Sequence, residues 1–156
     1  MATAEKSFLV QAPPDKVWAT ISELKSWDEL TATHLTFVTR KTRFEIVDGS
    51  GAGARFTVSI GRNVIQEGAI ESWEPPRLWT VRAHSTTRQF YCSESSLSVA
   101  ISPQDSLASR VDLRLELRFT HRYFGDLVTL FFPLRSSLKR CVENVSVRLR
   151  EMLERA

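Results

Sequence analysis

The chain has 156 residues, 42% of them hydrophobic and 25% charged, with a formal net charge of +3. That is the length of one domain, spanning residues 1–156, with enough apolar content for a core of its own, so disordered and fibrous classes are excluded. The Lys and Arg residues are scattered and, along the C-terminal segment, interleaved with acids, which reads as a solvated helix face; no nucleic-acid partner is expected. No apolar run has the length of a signal peptide or a membrane span, so a cytoplasmic protein without integral membrane contact is expected. Cys92 and Cys141 lie far apart without metal-ligand spacing, which predicts free thiols, no metal and no cofactor. The sequon Asn144-Val145-Ser146 falls inside a helical pattern and reads as coincidence.

Residues 6–12 predict a first strand. Pro14 then suits the first turn of a helix over 14–24, where a missing N–H costs nothing. Val17, Ile21 and Leu24 give that helix one buried stripe, widened by Trp18, and Trp27 stands just past its end, where a second short helical piece begins. The period then changes to two. Phe44 and Ile46, followed by Phe56, Val58 and Ile60, predict antiparallel strands joined through the glycines of "DGSGAGAR". A phosphate-binding loop would need a helix N-terminus next, and here more strand follows. Strands over 64–73 and 78–85 flank "SWEPPRLW", another covers 95–102, and "RVDLRLELRFTH" alternates Val111, Leu113, Leu115, Leu117 and Phe119 with a wet face. From Asp126 the helical period returns through Leu127, Phe131, Leu134, Leu138, Cys141, Val145, Leu149 and Met152; Pro133 kinks this helix or marks its true start. Even from residue 134 it reaches ~33 Å, enough to cross a sheet.

A curved antiparallel sheet with one wet face satisfies its other face by folding around a long helix, and a gap between the two becomes a cavity. The opening "FLVQAPPDKVWATISELKSWDEL" resembles that of the START-like (SRPBCC) helix-grip superfamily, in particular its polyketide cyclase/dehydratase-like branch. "GSGAGARFTV" is similar to the family's Gly-rich hairpin, "AIESWEPPRLWTV" to its Pro-Pro corner, and the tail to its closing helix. The resemblance implies an α+β helix-grip fold: a curved antiparallel sheet of six or seven strands around a long C-terminal helix, with two short helices after the first strand. It also implies a hydrophobic cavity, used across the superfamily for lipids, aromatic polyketides, hormones or client proteins and in a minority for catalysis. None of these motifs is a catalytic signature. In such a fold Trp18 packs the first helix on the sheet and Trp27 supports the pocket entrance.

Strand parity selects the candidate ligand contacts. Phe56, Val58, Ile70, Leu115 and Leu117, with Phe131 from the tail, are the inward apolar set. Gln66 shares the parity of Ile70, because Glu67, Ala69, Glu71 and Trp73 share the other and the glutamates belong in water. An inward Gln must find partners or cost on the order of 1–3 kcal/mol. His121 keeps step with Leu117 and Phe119, and Tyr123 follows it; either is placed to meet a ligand oxygen, or His121 simply bonds a loop carbonyl at the strand end. Trp79, Val81 and Ala83 form a buried row, which would put Arg82 and His84 outside, but in a cavity-lining strand the assignment inverts, so the sequence leaves the face of these two open. His34 has no identifiable partner, and three scattered histidines make no zinc site.

The leading expectation is a protein, monomer or homodimer, that binds or carries a small apolar ligand such as a lipid or aromatic metabolite. The alternative is a cyclase, aromatase or dehydratase using His121 as proton shuttle, with Tyr123 and Gln66 orienting oxygens. A third reading is a co-chaperone-like interaction module, which an exposed apolar patch would mark.

Overall fold

A computed structural model describes residues 2–31, 42–86, 92–119 and 134–155 of the chain. In chain order these form β1 (Ala2–Val10), α1 (Pro14–Ser22), α2 (Ser26–Leu30), β2 (Thr42–Asp48), β3 (Arg55–Ile60), β4 (Asn63–Glu74), β5 (Leu78–Ser85), β6 (Cys92–Pro103), β7 (Ser109–Phe119) and α3 (Leu134–Glu154). The strands make one antiparallel seven-stranded sheet in the order β1-β7-β6-β5-β4-β3-β2. Consecutive hairpins build β2 to β7, and β1 returns the N-terminus to the far edge beside β7. With α3 on one face of this sheet, the arrangement is the helix-grip fold expected from the sequence. No helix among the described residues is long and apolar enough to cross a membrane.

β1 begins earlier than its apolar pattern indicates, at Ala2, because the small residues Ala2 and Ala4 pair with Leu117 and Leu115 and are buried by them. Two prolines then set the turn into α1. Pro13 is extended (φ −67°, ψ 156°) and its carbonyl accepts from the Lys16 and Val17 N–H groups, while Pro14 opens the helix. α1 ends at Ser22, two residues short of the expected span, and α2 carries Trp27 and Leu30 inward. At the opposite edge, the Asp28 carboxylate accepts the Phe44 N–H at 2.7 Å, satisfying a donor of edge strand β2.

The described part of α3 runs from Leu134, and its 21 residues span about 31 Å; Pro133 lies outside the described residues. Leu138, Val142, Val145, Leu149 and Leu153 form the buried stripe, with Arg140 and Glu151 exposed. The helix packs chiefly against β1 and also meets β7, α1 and α2. Polar groups fasten its C-terminal part: Lys16 Nζ donates to the Leu153 carbonyl at 3.1 Å, Arg150 Nε to the Leu9 carbonyl at 3.2 Å, and Arg148 to the Glu29 carbonyl at 3.1 Å. Arg150 also sits 5.7 Å from the centre of the Phe8 ring.

The alternation rule breaks where the register shifts, at Ile46/Asp48, Val58/Ser59, Ile70/Ser72 and Cys92/Glu94, and the shift after Ile70 bears on the core. In β4 the register shifts between Ile70, opposite Val81, and Ser72, opposite Thr80, so Glu71 is an extra residue. Trp73, expected beside the glutamates on the wet face, is thereby turned inward opposite Trp79, where it packs on the core and meets Trp18 edge-on at 5.2 Å between ring centres. The loop between β2 and β3 is pinned to the same place: Gly53, in the left-handed region at φ +85°, donates its N–H to the Ile70 carbonyl, and the Ile70 N–H returns to Ala54. Ile46, on the edge strand, is 42% exposed.

Candidate functional site

Between the sheet and α3 lies a cavity of about 150 Å³. Its walls come from nearly every element. Leu24, Trp27 and Thr31 close it from the α1–α2 side, Phe44, Phe56 and Val58 from β2 and β3, and Cys141, Val142 and Val145 from α3. The inward rows of β5, β6 and β7 supply Trp79, Val81, Ala83, Leu97, Leu113 and Leu115, with Gln66 and Ser95 beside them.

One end of the cavity is aromatic. Trp27 and Trp79 stack face to face, 5.2 Å between centres and 6° from parallel. Trp27 is fixed by an indole N–H bond to the Ile21 carbonyl at 2.8 Å, which ties the wall to the last turn of α1. Trp79, 1% exposed, holds its indole N–H in the interior with no partner among the described residues. A buried donor left so costs about 1–3 kcal/mol relative to a paired one.

The other end carries the polar groups. On β5, Ala83 is four residues from Trp79, about 13 Å along the strand, and opposite Ala83 on β6 stands Ser95. Gln66 Nε2 donates to Ser95 Oγ at 3.3 Å. The space for this end depends on a glycine: a Cβ on Gly68 would lie 2.6 Å from the Phe56 ring and 2.5 Å from the Arg82 carbonyl oxygen. Only a bare backbone lets Phe56 lie against β4 at this point.

Cys141 is the one titratable side chain in the wall among the described residues. Burial pushes its thiol up from its ordinary value near 9 to about 11, so it is protonated and unreactive at neutral pH.

Of the contacts expected from the sequence, Trp27, Phe56, Val58, Gln66 and Leu115 are in the cavity wall, and Ile70 and Leu117 are not. Ile70 is buried beside the glycine loop at the bulge, and Leu117 packs at the end of the sheet against Ala2. His121, Tyr123, Phe131 and His34 lie outside the described residues. Arg82 and His84 are on the outer face. Arg82 bonds Glu94 and Glu71, each at 2.7 Å, and these bonds, Glu94 first, raise its already high pKa; His84 stands 3.9 Å from Glu67. Sequence reasoning missed Ser95 as a site residue, although its parity with Leu97, Val99 and Ile101 already places it inward.

The family described as polyketide cyclase / dehydrase and lipid transport matches residues 1–154. No curated protein is similar enough to match. Among solved structures, the chain is similar to the Zhui aromatase/cyclase from Streptomyces at 16% identity and TM-score 0.68, covering 98% of this chain and 93% of the other. It is similar to a START superfamily protein from Mycobacterium smegmatis at 11% identity and TM-score 0.65, covering 99% of each chain. An HSP90 activator from Plasmodium falciparum shares the architecture at 13% identity and TM-score 0.55, over 80% of this chain and 79% of that one. At these identities the likenesses establish the fold alone.

Proposed function

Since the chain belongs to the polyketide cyclase / dehydrase and lipid transport family, we propose that it binds a small hydrophobic ligand in the cavity between the sheet and α3. The observation that carries this reading is the wall itself. Apart from Gln66, Ser95, Thr31, the Cys141 thiol and the Trp79 indole N–H, its described side chains are apolar, and none of them is charged at neutral pH. Such a wall gains from excluding water from an apolar guest and offers little to stabilise charge developing in a reaction. Binding is therefore favoured over turnover. It is also favoured over a client-protein role, because among the described residues the outer face of β4 to β7 carries the ion-paired Arg82, Glu94, Arg118 and Glu116. In this reading the protein works in the reducing cytosol, where the Cys141 thiol persists.

Native mass spectrometry of freshly purified protein is expected to show a co-purified small molecule. An apolar fluorescent probe is expected to bind saturably to the folded protein. Leu97→Trp, which fills the cavity from β6, is expected to abolish that binding while the urea transition stays cooperative. Probe binding that appears only as the protein unfolds would show the interior to be a packed core.

A further inference from the structure

The cavity is small, carries its Gln66–Ser95 amide–hydroxyl pair at one end, and is free of charged side chains among the described residues. Together these features define a chemical class of ligand more narrowly than the family does. An apolar cavity of about 150 Å³ holds a guest of roughly benzene size, well short of a fused polycycle or a long acyl chain. An ionised guest would leave water without a counter-charge, at a cost that the attraction of two neutral polar groups does not offset. At the polar end, Gln66 makes one hydrogen bond to a described residue, the 3.3 Å contact with Ser95. A Gln amide has two donors and an acceptor oxygen, and a Ser hydroxyl can both donate and accept, so the pair retains capacity for a guest's hydroxyl or carbonyl. At the apolar end, the Trp27–Trp79 stack offers flat aromatic surface.

We propose that the ligand is a neutral molecule with the bulk of a single ring, whose one hydroxyl or carbonyl meets the Gln66–Ser95 pair while its apolar body lies toward Trp27 and Trp79. The proposal rests on the ligand-binding reading above and sharpens it.

Three probes on one skeleton test it at pH 7: ethylbenzene, 4-ethylphenol, which is neutral there, and 4-ethylbenzoate, which is ionised. Titration calorimetry of the native protein is expected to rank 4-ethylphenol about five- to tenfold tighter than ethylbenzene, the gain of one partly desolvated hydrogen bond. The carboxylate is expected to bind at least about a hundredfold more weakly than the phenol. Gln66→Leu is expected to erase the preference for the phenol and leave ethylbenzene unweakened, with Ser95→Ala as a second, smaller change giving the same loss of preference. Saturable ethylbenzene binding with no preference for the phenol, or with the carboxylate bound as tightly, would overturn the proposal and leave the binding reading standing. Equal weakening of all three probes in both folded variants would also overturn it. If none of the three binds the native protein, the ligand-binding reading falls and this proposal with it.

Discussion

Strands β4, β5 and β6 carry two opposite chemistries on their two faces. On the outer face Arg82 bridges Glu71 and Glu94, and Glu94 also pairs with Arg118 at 3.6 Å. One residue along in either direction, Val81 and Ala83 line the cavity. The outer groups remain half in water, so each loses little if its partner is removed. The inner groups have no solvent to fall back on, so a lost methyl, an extra methyl or an unpaired proton has its full effect there. Polar density is thus a poor guide to where this molecule is sensitive, and depth is a good one.

The widest gap between the faces is expected within a single strand. Trp79→Ala removes a 1% exposed ring and its stacking partner's support and is expected to cost about 3–5 kcal/mol, read as a fall in the urea midpoint. Trp79→Phe, which keeps an aromatic ring and removes the unpartnered N–H, is expected to lose much less, and a loss equal to that of the Ala variant would break the account of that donor.

Gly68→Ala tests overpacking at the inner face. With the new Cβ 2.5 Å from a backbone oxygen, strand or ring must move, at about 1–3 kcal/mol. Because Phe56 is displaced toward the cavity, probe affinity is expected to fall as well; unchanged affinity would mean that the ring has moved elsewhere.

The Cys141 thiol sharpens the comparison by pH. Its folded value, about 11, lies above the ordinary value near 9, so its contribution is complete below pH 9 and is lost as pH rises toward 11, where the unfolded chain ionises first. The loss is on the order of 2 kcal/mol. Lys and Tyr titrate in the same range, so the measurement is the difference between wild type and Cys141→Val: the two stability curves are expected to converge on the alkaline side in the variant's favour. Parallel curves would show the thiol to be solvated.

The smallest effect is expected at Arg82→Ala, on the outer face of the same strand as Trp79. Its guanidinium has two carboxylate partners, but all three are substantially exposed, so the urea midpoint is expected to stay close to wild type and to differ less still in high salt. A drop comparable to that of Trp79→Ala would overturn the contrast between the faces.

Most of the architecture was legible because it is written in periods. The alternation of β7 and the three-and-four spacing of α3 each report one buried face. Parity also placed Gln66 inward, while it left the face of Arg82 open. The bulge was not legible: one extra residue at Glu71 leaves no local signature in "IESWE", yet it reverses Trp73. The Trp27–Trp79 stack was hidden for another reason. It joins residues 52 positions apart whose meeting depends on how the α1–α2 corner sits over the sheet, which no local pattern encodes. The beginning of β1 was missed because alanines carry little hydrophobic signal, although Ala2 and Ala4 are buried opposite Leu117 and Leu115.

All four tryptophans are held in two pairs, and only one pair borders the cavity. Both pairs have ring centres 5.2 Å apart, one near-parallel and one near-perpendicular, so each couples its electronic transitions in its own way. The molecule therefore contains an optical sensor and its own reference. A guest entering between sheet and helix perturbs the emission and circular dichroism of Trp27 and Trp79, while Trp18 and Trp73, in the same sample, report whether the fold has changed.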